Sequence, residues 1–128
     1  MEARFIRHTE NPLDSLNIGR VEERRIDYWR KPLLRAVKSV ADQFPNTSQV
    51  EDRTGANGPY IEVGFYCLGY FWYMGYDIQG EPGGFYSGYK EIWMDKYGGE
   101  QLYGGEESID ETVDDCIYRL ISWLKQKE

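Results

Sequence analysis

Between Asp95 and Asp115 stand eight carboxylates, Asp95, Glu100, Glu106, Glu107, Asp110, Glu111, Asp114 and Asp115, against one cation, Lys96. That stretch alone accounts for the formal net charge of −7 of the 128-residue chain. Residues 1–54 are nearly neutral, with ten Lys and Arg against nine Asp and Glu, so the acidity is local. A dense group of carboxylates can act as a general acid and base, hold a cation or meet a basic partner. General acid/base work is poorly supported: Asp110 and Asp114 share a helix face at a spacing of four, but the only histidine is the distant His8. A calcium loop of the DxDxDG type is absent, which leaves a basic partner as the favoured reading.

The same stretch holds a short duplication. Tyr97-Gly98-Gly99-Glu100 recurs as Tyr103-Gly104-Gly105-Glu106. The plain structural reading is two turns whose glycines take positive φ and whose tyrosines pack back on the domain. The functional reading is an exposed loop in which tyrosines, giving large contact area at little rotamer cost, stand between carboxylates. On that reading the partner-binding residues are Asp95, Tyr97, Glu100, Tyr103, Glu106, Glu107 and Asp110.

Other chemistries lack their residues. Cys67 and Cys116 are 49 positions apart with no nearby Cys or His, so neither a redox pair nor a zinc site can be drawn. Phosphate-binding GxxxxGK[ST] and GxGxxG patterns are absent, and Ser87 lacks the glycine two residues before it that a nucleophile elbow requires. With 22 acids against 15 bases, direct nucleic-acid binding is disfavoured too. No metal, no cofactor and no enzymatic activity is therefore expected.

These residues must be positioned by a fold, and an aromatic content of 16% is too high for a disordered acidic tail. Length suits one domain over residues 1–128. Arg4 to Thr9 alternate weakly, as a short edge strand would. Trp29, Leu33, Val37, Val40 and Phe44 recur at helical spacing, predicting a helix over 32–44 that begins or kinks at Pro32, with Val21 to Tyr28 a separate turn or helix. Asn46 to Pro59 reads as a loop. Ile61 to Tyr66, Tyr70 to Tyr76 and Phe85 to Met94 alternate as strands, with a break at Leu68-Gly69 and a turn within Gln79 to Gly84. Ser108 and Glu111 form a capping box, predicting a helix over 109–125 whose first turns absorb Asp110, Glu111, Asp114 and Asp115. The expected fold class is α+β, a small antiparallel sheet of three to four strands with helices packed on one face.

The segment Met1 to His8 has no uninterrupted apolar run of the secretory kind, and the apolar stretch Tyr60 to Tyr76 is broken by Glu62 and glycines, so neither secretion nor a membrane span is expected. Free buried thiols then fit a reducing cytoplasm, and Asn46-Thr47-Ser48 carries little weight as a glycosylation acceptor. The functional expectation is a small acidic protein that inhibits by occluding a basic protein partner, for example an immunity protein neutralising a nuclease toxin. The alternative is a small-ligand or carbohydrate-binding module using the aromatic strands Tyr70 to Tyr76 and Phe85 to Trp93.

Overall fold

The computed structural model describes residues 19–55, 60–77 and 84–128, with side chains from Ile26 onward except that of Tyr60. The expected strand at Arg4 to Thr9 and most of the turn before Gly84 lie outside the described residues. Helix α1 spans Gly19–Ala41, and helix α2 spans Val113–Lys127. Between them run β1 (Glu51–Asp52), β2 (Tyr60–Cys67), β3 (Tyr70–Asp77), β4 (Gly84–Met94) and β5 (Glu100–Asp110). The strands form one antiparallel sheet in the order β1-β2-β3-β4-β5. The fold is α+β as expected, with five strands rather than three to four.

Three departures have physical reasons. Helix α1 does not begin at Pro32 but includes Val21 to Tyr28 and runs on through the proline. An internal proline costs about 3 kcal/mol, and the apolar stripe continues on both sides of it: Ile26 before it and Leu33, Val37 and Val40 after it are buried. Trp29, also upstream, stacks on Tyr76 of β3 at 4.2 Å between ring centroids. Second, the loop before β2 contains β1, whose Glu51 and Asp52 pair with Gly64 and Val63. A two-residue edge strand is held by backbone bonds and leaves no hydropathy pattern. Third, α2 starts four residues later than the capping box implies. Ile109 and Asp110 belong to β5, and Thr112 is the N-cap, its hydroxyl accepting the Asp115 N–H at 3.1 Å.

The turn between β2 and β3 is only Leu68 and Gly69, with φ of 58° and 81°. Positive φ at both central residues suits the right-handed twist of a two-residue hairpin, and it fixes the register from Cys67↔Tyr70 to Tyr60↔Asp77. Alternation then sorts the sheet residues. Ile61, Val63, Phe65, Cys67, Trp72, Met74 and Tyr89 join residues of both helices, including Leu33, Val37, Leu120 and Leu124, in one buried cluster. Phe71, Tyr73 and Tyr86 point the other way and form a second, smaller cluster with Tyr66 and Leu102 at its rim. No described helix is long and apolar enough to cross a membrane.

Candidate functional site

Beyond the reach of β3 the sheet narrows to two strands. Strand β3 pairs with β4 from Asp77↔Gly84 up to Tyr70↔Glu91, and the remaining pairs, Ile92↔Leu102, Trp93↔Gln101 and Met94↔Glu100, join β4 to β5 alone. The tip is closed by Asp95, whose Oδ1 accepts the N–H groups of Tyr97 and Gly99, both at 2.8 Å. Those two backbone donors favour the charged form and hold the Asp95 carboxyl below its ordinary range. On this ribbon Trp93, Met94 and Tyr97 are 55%, 63% and 86% exposed, and Tyr103, at its base opposite Glu91, is 57% exposed. Large side chains left in solvent on a projecting ribbon are candidate anchors for a partner.

The two Tyr-Gly-Gly-Glu copies do different things. The first is the hairpin tip, with Gly98 at φ +85° in open space. The second lies inside β5, where the register shifts between Tyr89 and Glu91. There Gly104 and Gly105, at φ +64° and +78°, form a bulge that adds a residue to the edge strand. A Cβ on Gly105 would stand 1.8 Å from the Tyr89 carbonyl oxygen, so only glycine fits. Both tyrosines are exposed, against the reading in which they pack back on the domain.

Strand alternation also divides the seven residues singled out from the sequence. Asp95 and Tyr97 sit at the tip. Tyr103 and Glu106 share the side of the sheet that carries the larger core cluster, where the Tyr89 hydroxyl donates to Glu106 at 3.3 Å. Glu100 and Glu107 lie on the opposite side, accepting from the Tyr66 and Tyr73 hydroxyls at 3.3 and 2.7 Å. Asp110 departs from the expectation of a surface acid. It is 5% exposed, takes two bonds from the Arg119 guanidinium at 2.8 and 3.0 Å and one from the Ser87 hydroxyl at 2.8 Å. Its place on β5 rather than in a helix turn is the reason, because at Phe85↔Asp110 its side chain points inward. The seven therefore do not make one continuous surface; the ribbon gathers Asp95, Tyr97, Glu100 and Tyr103.

A second site was missed. On the sheet face of the smaller cluster lies a cavity of about 450 Å³ whose lining includes Arg53, Glu62, Asp77, Tyr86, Lys90 and Glu107. Two tyrosine rings lie flat there because glycines sit beneath them. A Cβ on Gly75 would meet the Tyr86 ring at 2.3 Å, and one on Gly88 would meet the Tyr73 hydroxyl at 2.5 Å. Laid across their neighbours, the rings reach in opposite directions: Tyr86 donates towards the Ile61 carbonyl and Glu62 Oε1 at 3.1 and 3.2 Å, and Tyr73 to Glu107 Oε2. Burial pushes the Glu62 carboxyl above its ordinary range, opposed by Arg53, the Tyr86 hydroxyl and Lys90. Burial and the adjoining carboxylates raise both tyrosine hydroxyls well above theirs. The signal that could have found this site is the recurrence of glycine at alternating positions, Gly64, Gly75 and Gly88, in strands otherwise full of aromatic residues.

Trp72, by contrast, is fully buried with its indole N–H on the Cys67 carbonyl, so it offers no stacking platform for a sugar. Among the described residues no three His, Cys, Asp or Glu side chains group as metal ligands would. No family model matches the chain, and comparison with curated proteins and with solved structures likewise finds no significant match.

Proposed function

We propose that this is a cytoplasmic binding protein that inhibits by occlusion, covering the basic surface of a partner protein with the distal β4–β5 ribbon. Both helices serve as a backing layer on one sheet face, which stiffens the base from which the ribbon projects. The observation that carries the reading is the exposure of Trp93, Met94, Tyr97 and Tyr103 on that ribbon, among the carboxylates Glu91, Asp95 and Glu100. Aromatic side chains supply desolvated contact, and the carboxylates steer a cationic surface and oppose wrong partners. Asp95, Tyr97, Glu100 and Tyr103 keep the partner-facing role on this reading; Glu106 and Glu107 flank it, and Trp93 and Met94 join it. An immunity protein against a basic nuclease toxin is the narrower form, since carboxylates can stand where the toxin's phosphate-bearing substrate would bind.

The test is affinity capture from native cells with the protein and with its Trp93→Ala/Tyr103→Ala variant, followed by inhibition assays on whatever only the parent retains. A basic protein that is released as salt rises from about 0.1 to 1 M, and whose activity the parent suppresses, supports the reading. A partner held equally by the variant, or one indifferent to salt, overturns it. A small-ligand reading is favoured by a separate observation, the cavity beside Tyr86.

A further inference from the structure

Opposite charges that share a cavity on a protein surface ordinarily collapse into ion pairs, but Arg53, Lys90, Glu62 and Glu107 around Tyr86 do not pair with one another. Among the described residues no carboxylate oxygen stands within 4.0 Å of a nitrogen of Arg53 or Lys90, although Glu62 and Glu107 line the same cavity. Each of these four charges is instead held by an aromatic residue. The Arg53 guanidinium lies over the face of Phe71 at 4.9 Å, and the Lys90 ammonium stands 5.7 Å from the centre of Tyr73. Glu62 and Glu107 are each fixed by one tyrosine hydroxyl on one oxygen, Oε1 and Oε2 respectively. Cation–π contact orients a cation without using up its N–H donors, and a single hydroxyl donor leaves a carboxylate its second oxygen.

The register explains why the charges stay apart. Arg53 follows β1 and its backbone N–H bonds to the Glu62 carbonyl at 2.8 Å, while Lys90 lies across β3 from Tyr66, opposite Phe71. Glu62 and Glu107 lie on β2 and β5, either side of the two flattened tyrosines. The cavity thus offers donors and acceptors of full charge, held in place with tyrosine rings for a floor. Its volume of about 450 Å³ lies in the range of small-molecule sites.

We propose that this cavity binds a small zwitterion of the α-amino-acid class, its carboxylate taken by Arg53 and Lys90 and its ammonium by Glu62 and Glu107. A ligand carrying one sign only would leave the other pair of protein charges desolvated and uncompensated, which is costly. A zwitterion satisfies both, and each charge-assisted bond is of the stronger kind. The ribbon itself is not involved and only Glu107 stands beside both surfaces, so this proposal does not rest on the occlusion reading.

Ligand-observed NMR of the full chain with the common α-amino acids, each at 5 mM, identifies binders. For the best of them, titration is repeated with the amine and the carboxylic acid that lack one of its charged groups. Expected is a binder whose amine-only and acid-only analogues are each weaker by about tenfold or more. Lys90→Met, with a melting transition like the parent's, weakens the same ligand by about tenfold. Lys125→Met, at an exposed position of α2, serves as the folded control with unchanged affinity. No binding by any amino acid, equal binding of a one-charge analogue, or full affinity in Lys90→Met with its fold retained overturns the assignment.

Discussion

The two halves of the β4–β5 hairpin are joined by a bulge and share the same backbone pairing, but little else. The proximal half, Gly84 to Tyr89 with Glu106 to Asp110, has β3 beside it and residues of both clusters above and below. In it Tyr86, Ser87, Tyr89 and Asp110 are buried. The distal half, Ile92 to Leu102, has no third strand along its pairs, and its largest side chains are exposed. A two-stranded ribbon is marginal by itself in water, so the distal half borrows its order from the proximal half and from the Asp95 turn. Pairing alone does not decide stability; cover does. The edge strand also explains part of the acidity without a partner, because carboxylates and a bulge on β5 oppose pairing with another chain's edge.

The contrast is broken most strongly at the bulge. Gly105→Ala brings a methyl against the Tyr89 carbonyl and forces an L-residue into positive φ, so a loss of about 3 kcal/mol or more is expected in denaturant unfolding. Gly98→Ala carries a similar φ in open space and costs only about 1 kcal/mol. Equal losses would mean that the two halves are equally constrained.

Next in size is the Asp110 pair in the proximal half. Arg119 is 42% exposed and Asp110 side chain 2% exposed, so the two deletions are unequal. Arg119→Ala leaves a buried carboxylate with only the neutral Ser87 hydroxyl and Cys116 thiol beside it and costs about 2–3 kcal/mol, discounted from a fully buried pair. Asp110→Ala leaves a guanidinium that reaches water and costs about 1 kcal/mol. Thermal melts of the two variants that reversed this order would show that Asp110 is solvated after all.

How legible this was follows from what each half depends on. Strands β2, β3 and β4 carry period-2 apolar patterns and could be read directly, as could the stripes of both helices. Strand β5 could not: Glu100 to Asp110 holds two glycines and four acids, because an edge strand with one side open has few positions that must be apolar. Ser108-x-x-Glu111 matched a capping box by composition, but the Ile109↔Tyr86 and Asp110↔Phe85 pairs took those residues into the sheet first. The cavity was illegible for another reason. Its charges come from four segments that only the sheet register brings together, whereas the ribbon's acids and tyrosines are neighbours in sequence.

Amide exchange sharpens the comparison without substitutions. Backbone N–H groups of the Trp93↔Gln101 and Met94↔Glu100 pairs should exchange by local opening, at least tenfold faster than those of Tyr86 to Tyr89, which wait for larger unfolding. Uniform protection along the hairpin would mean that the ribbon is as stable as its base.

The smallest effects come from protons, and their signs differ between the two halves. Glu62, bonded to Tyr86 of the proximal half, has a folded carboxyl raised above the ordinary 4.5. Above pH 4.5 the unfolded chain ionises before the folded one, so this group subtracts stability as pH rises through the folded value. Glu62→Gln removes the subtraction, and its melting temperature should gain on the parent between pH 4.5 and 7. Asp95 at the distal tip is lowered from 3.8, so it contributes stability above pH 3.8 that is lost as pH falls through the folded value. Asp95→Ala should therefore lag the parent at pH 7 and approach it as the pH drops below 3.8. The two difference curves slope in opposite directions with pH, lie in separate windows and differ in origin, one a burial cost and the other a set of backbone bonds. A curve for Asp95→Ala that stayed flat through acid pH would show that Tyr97 and Gly99 do not hold the carboxylate in solution, and the tip would then be open rather than closed.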